Sequence, residues 1–140
     1  MTGPAGRHSF AAMTTTLHRI QDERLAGGLA MLLAIGALAF ANFSGNGDDG
    51  GAGPYAITIA ACAVVAAVLF ARVLPAAAHP ARASWILAAL ALVTCVVFWT
   101  GLPIVLGMAA VYSGLRADHR VPAALGALAV MLGVIGCIAG

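Results

Sequence analysis

The chain has 140 residues, of which only seven Arg and five Asp or Glu are charged; there is no Lys, and the net charge is +2. Charged residues make up 9% and hydrophobic residues 62%, with a mean hydropathy of +1.00, whereas a soluble globular protein carries about 25% charged residues. This balance excludes a soluble domain, a disordered chain and a nucleic-acid binder, and it points to an all-α, polytopic membrane protein.

The few charges are unevenly spread. Four stretches carry none: 25–47, 50–71, 83–115 and 121–140, of 23, 22, 33 and 20 residues. A hydrocarbon core about 30 Å thick needs roughly 20 apolar residues to be crossed as a helix. The stretches are continuously apolar rather than alternating, so helices are expected and not barrel strands.

Residues 1–24 are expected to form a cytoplasmic tail. Phe10, Met13, Leu17 and Ile20 fall at helical spacing, which defines one apolar face. An amphipathic helix on the inner leaflet and an unstructured tail fit this segment equally well, because three consecutive Thr (Thr14 to Thr16) are modest helix formers. Met13 is an alternative start. From residue 25 to 140 the chain reads as one transmembrane domain.

The first helix is expected at 25–43. Ala39-Phe40-Ala41 matches a small-x-small cleavage pattern, but the preceding leader is long, and an uncleaved anchor is the better reading. A Gly- and Asp-rich loop follows at 44–53. The second helix is expected at 55–74, opened by Pro54 near its first turn, where proline is tolerated. The next loop, 75–82, contains Pro75 and Pro80.

The 33-residue stretch is too long for one upright span, at about 50 Å as a helix. Gly101 and Pro103 near its middle are a turn signal. It therefore divides into helices at 84–99 and 103–115, a hairpin whose turn must be covered by protein. The polar turn Arg116 to Arg120 leads to the last helix, 121–139. Five membrane helices result; four is the alternative.

Arginines near span ends favour the cytoplasmic side. With five helices all seven Arg lie on one side. With four helices Arg116 and Arg120 cross over, which leaves five against two. The count favours five helices, with the N-terminus cytoplasmic and the C-terminus outside, in a bacterial plasma membrane. The wealth of Ala (33 residues) and the absence of Lys suggest a high-GC bacterial source. Tyr55, Trp85 and Trp99 then fall near the two interfaces, where aromatic residues gather.

Ionisable groups inside a membrane are costly and usually functional, and the expected spans contain none. All four His (His8, His18, His79 and His119) lie in expected cytoplasmic segments. Coupled transport through an embedded relay, an embedded metalloprotease and a Ser/His pair in the bilayer are disfavoured, and no enzyme activity is expected. Thr58, Thr94, Thr100 and Ser113 read as hydroxyls satisfied by their own helices. Cys62, Cys95 and Cys137 read as small packing residues. His79, His119 and Asp118 are the one cluster with metal-ligand chemistry, and a solvated loop surface is the commoner outcome. No cofactor or metal is expected.

The positive signal is small-residue packing, which lets helix backbones approach closely in a membrane. In the last helix Gly126, Ala129, Gly133, Gly136 and Gly140 recur at spacings of 3 and 4. Gly107, Ala110 and Gly114 do so in the fourth helix, after Pro103. Gly27, Ala30, Ala34, Ala37 and Ala41 form a similar stripe in the first helix, Ala56, Ala60, Ala63 and Ala67 in the second, and Ala88, Ala91 and Cys95 in the third.

The segment 85–140 resembles small bacterial membrane proteins of the domain-of-unknown-function 4190 group. The carrying residues are Gly101 to Gly107 (GLPIVLG), Gly114-Leu115-Arg116 and the glycine helix from Ala124 to Gly136. The resemblance implies a membrane location and no known activity. The expected role is a non-enzymatic interaction or structural subunit whose surroundings are the lipid bilayer and a membrane-protein partner or a second copy. A small transporter or channel subunit acting as an oligomer is the alternative.

Overall fold

The structure, a computed structural model, describes the backbone of residues 5–44 and 52–139 and the side chains of residues 21–41 and 52–139. Five helices follow one another: α1 (Ala5–Ser44), α2 (Ala52–Ala76), α3 (Pro80–Thr100), α4 (Leu102–Arg116) and α5 (Arg120–Ala139). There is no strand among the described residues. The segments Gln21–Ala41, Ala52–Ala76, Pro80–Thr100 and Arg120–Ala139 are long and apolar enough to cross a membrane, and α4 is a shorter apolar helix of 15 residues. The chain is a helical membrane protein.

The first helix starts well before residue 25. It runs unbroken for 40 residues, about 60 Å, so its N-terminal part continues the axis of the membrane segment. The side chains of Phe10, Met13, Leu17 and Ile20, on which the expected apolar face rests, lie outside the described residues, as do most of the Gly- and Asp-rich loop and Gly140. Helix α2 contains a π turn at Leu69–Val73, where the Leu74 N–H donates to the Leu69 carbonyl. Pro75 follows directly. It has no N–H, and its ring crowds the carbonyl four residues back; the wider turn accommodates both. Pro75 therefore lies within the last turn of α2, beyond the expected end of the helix at residue 74. Helix α3 starts on Pro80, a first-turn position that suits proline.

The 33-residue stretch does break, at Gly101. The last turn of α3 tightens into a 3-10 helix, Cys95–Thr100, and Gly101 turns left-handed at φ 70°. Glycine is the residue that adopts this conformation without steric cost. Gly101 is buried, its neighbours Thr100 and Leu102 are half-buried, and polar groups of the turn are met by protein. Gly101 N–H donates to Phe98 O at 3.1 Å. Thr100 Oγ1 donates to Val97 O at 2.8 Å and accepts from Leu102 N–H at 3.3 Å. The Cys62 thiol donates to Thr100 O at 2.8 Å, and the Cys137 thiol approaches Phe98 O at 3.5 Å. In lipid, backbone groups left without such partners cost several kcal/mol each.

The other end of α4 closes with a Schellman motif. Asp118 is left-handed at φ 55°, its N–H donates to Leu115 O at 3.2 Å, and His119 N–H donates to Gly114 O at 2.8 Å. Helix α4 is the post of the bundle. Pro103, Ile104, Val105, Gly107, Ala109, Ala110, Ser113 and Gly114 are all buried, and every other helix packs against it. The outer surfaces of the other helices carry exposed Leu, Ile, Val and Trp side chains, as a lipid-facing surface requires.

End contacts fix the up-and-down arrangement. At one end Glu23 meets Arg116, Gly27 faces Phe70, and Gly114 lies against Ala123. At the other end Tyr55, Cys62 and Cys137 reach Ile35, Thr100 and Phe98. Arg24, Arg72, Arg82, Arg116 and Arg120 therefore gather at the first end, which is called the arginine end below.

Candidate functional site

The seam between α4 and α5 holds Gly107, Ala110, Gly114, Gly126 and Gly133 of the small residues singled out for helix packing. A Cβ built on Gly107 would lie 2.6 Å from the Gly126 carbonyl oxygen, and one built on Gly126 would lie 2.6 Å from that of Gly107 and 2.8 Å from Ala110 Cβ. Gly114 is as close to Ala123, at 2.9 Å to its backbone nitrogen. Ala129 is fully buried, and its carbonyl is approached by the Cys95 thiol at 3.7 Å. Gly133 faces Ile104 and Pro103, while Gly136 faces Phe98 at the end of α3. These small faces are occupied inside the chain. Ala88 and Ala91 of α3 and Ala30, Ala34 and Ala37 of α1 are buried as well.

Helix α2 departs from expectation. Its buried face is Cys62, Ala66, Phe70 and Leu74. The expected stripe points outward: Ala56, Ala60 and Ala67 are exposed, and Ala63 is half-buried. Phe70 decides the orientation, because burying its ring removes far more apolar area than burying an alanine. The Phe70 ring sits 6.3 Å from that of Tyr112.

Beside Phe70 the two outer helices stand apart and leave a groove of about 550 Å³. Gly27, Gly28 and Met31 of α1 line one wall, and Ala63, Ala66, Ala67, Phe70, Ala71 and Pro75 of α2 line the other. Gly28, Ala67, Ala71 and Pro75 are exposed, so the groove opens sideways on the bundle surface. Its arginine end is formed by Glu23 and Arg24.

Glu23 is the group that the expectation of charge-free spans missed. It lies within the membrane-length segment Gln21–Ala41 and is only 5% exposed. Arg116 Nη1 donates to its Oε1 at 3.0 Å, which ties the end of α4 to α1. Partial burial of both partners strengthens their attraction, and removal of either one strands the other. A signal was present in the sequence: Glu23 stands four residues before Gly27, in register with the stripe that continues through the buried Ala30, Ala34 and Ala37.

The remaining candidates stay apart. Asp22, His79, Asp118 and His119 are exposed. Among the described residues no three His, Cys, Asp or Glu side chains come together as metal ligands. Thr58, Thr94 and Ser113 donate to Pro54, Ala91 and Ala109 of their own helices, at 2.9, 2.9 and 2.8 Å. A smaller pocket of about 280 Å³ lies at the far end, between Leu38, Tyr55, Thr58, Phe98 and Trp99.

The chain matches no protein-family model, no curated protein and no solved structure.

Proposed function

We propose that the chain is a non-enzymatic subunit of a bacterial plasma membrane that acts by associating, through α2, with a membrane-protein partner or with a second copy of itself. The observation that carries this reading is the outward-facing small-residue stripe of α2. Ala56 and Ala60 are exposed, whereas the small faces of α4 and α5 are filled. Small residues on a lipid-facing surface permit the close backbone approach that drives helix association in a membrane.

The orientation belongs to the same proposal. Five arginines at one end of the bundle support a cytoplasmic arginine end, with the N-terminus inside and the C-terminus outside. The resemblance to the domain-of-unknown-function 4190 group implies a membrane location and no activity, and it does not bear on the orientation. The hydroxyls that a conduction path needs donate to carbonyls of their own helices, which weighs against the transporter or channel alternative.

Purification of the full chain from native membranes in mild detergent tests the association. A stoichiometric partner or a second copy is expected to travel with it, and Ala60→Trp is expected to release that companion while the bundle stays folded. Wild-type chain that emerges as a lone monomer, or a companion that Ala60→Trp leaves in place, contradicts the reading.

A further inference from the structure

The groove between α1 and α2 has the depth, the opening and the charges of a lipid seat. Along α1 it runs from Glu23 to Met31, and along α2 from Ala63 to Pro75, about 12 and 18 Å of helix respectively. One leaflet of a bilayer contributes about 15 Å of hydrocarbon, half of the core thickness. The walls are glycine, alanine, methionine and phenylalanine, and the side opening faces lipid. Such a space fills with an acyl chain that enters from the adjoining leaflet.

The arginine end says which headgroup belongs there. Arg24 is exposed and has no acidic partner among the described residues, and a guanidinium is well matched to a phosphodiester. Glu23 beside it is nearly buried, and only its Oε1 is paired; Oε2 has no donor among the described residues. A buried carboxylate oxygen without a donor is costly. A lipid that brought only negative charge would leave that oxygen unsatisfied and place an anion beside it. A headgroup with both a phosphate and a primary ammonium answers both residues.

We propose that this groove binds one aminophospholipid of the adjoining leaflet, with an acyl chain between α1 and α2, its phosphate held by Arg24, and its ammonium donating to Glu23. The seat takes Ala63 and Ala67 from the α2 stripe, whereas the association proposed for α2 rests on Ala56 and Ala60, toward the other end of that helix. Charge-assisted hydrogen bonds are about twice as strong as neutral ones, so a lipid without ammonium N–H groups is expected to bind roughly tenfold more weakly.

The test is native mass spectrometry of the full chain in mild detergent, with phosphatidylethanolamine, phosphatidylcholine or phosphatidylglycerol added at increasing concentration. One retained phosphatidylethanolamine per chain is expected, with the other two lipids roughly tenfold weaker. Gly28→Leu is the decisive variant. Gly28 lines the groove, and a Cβ there meets nothing within 4 Å, so the position has room for a larger side chain. The variant is expected to abolish retention while thermal unfolding stays at or above the wild-type temperature. Arg24→Gln is expected to weaken binding several-fold. Equal retention of all three lipids, a preference for phosphatidylglycerol, no retained lipid, or binding unchanged by Gly28→Leu overturns the proposal.

Discussion

Two seams of this bundle use glycine in opposite ways. Between α4 and α5, Gly107 and Gly126 bring backbones together so closely that neither position has room for a methyl group. Between α1 and α2, Gly27 faces the Phe70 ring, with a built Cβ 3.2 Å away, and Gly28 faces open space. The first seam is held by backbone-to-backbone packing. The second is propped by an aromatic ring and leaves a groove. A small residue in a membrane helix therefore marks either a close approach or a cavity, and only the facing helix decides which.

The comparison breaks most sharply at the ion pair that joins the open side to the post. Glu23→Leu leaves Arg116 without its carboxylate and is expected to cost on the order of 3 kcal/mol, reduced to the extent that the Arg116 side chain is 25% exposed. Adding Arg116→Leu is expected to recover most of that loss, since replacing both partners by apolar groups is often close to neutral. Chemical unfolding in mixed micelles measures both. A double variant no better than the single one would mean that the pair itself does not set the cost.

Next in size is the closed seam. Gly107→Ala puts a methyl group where the Gly126 carbonyl and Val130 now lie and is expected to destabilise by about 1–3 kcal/mol. Gly101→Ala is expected to cost about 1–2 kcal/mol for a left-handed alanine. The contact with Leu38 adds less, because the nearest atom is the end of a flexible side chain. The smallest effect has the opposite sign: Gly28→Ala is expected to stabilise by up to about 1 kcal/mol, through helix propensity alone. Equal costs at Gly107 and Gly28 would erase the distinction between the two seams.

Much of this architecture is legible in the sequence, for identifiable reasons. Charge-free stretches mark the helices because an unpaired charge is expensive in hydrocarbon. Gly101 and Pro103 mark the break because a left-handed residue and a first-turn proline leave a local signature. The face of α2 is not legible from its alanines. With Ala at 56, 60, 61, 63, 66 and 67, several registers look alike, and Phe70 chooses among them only when a facing glycine receives its ring. The groove follows from that choice and is invisible in any single helix. The burial of Glu23 is legible only in part: its register on α1 is local, but its partner Arg116 is 93 residues away.

We propose that α4, only 15 residues long, counts as a full pass of the chain because protein seals both of its ends. The most direct test fuses a reporter that is active on one side of the membrane only to each terminus in turn. Five passes predict a cytoplasmic N-terminus and a C-terminus on the opposite face. Both termini on the same face would contradict the account, because α3 and α4 would then make a single crossing.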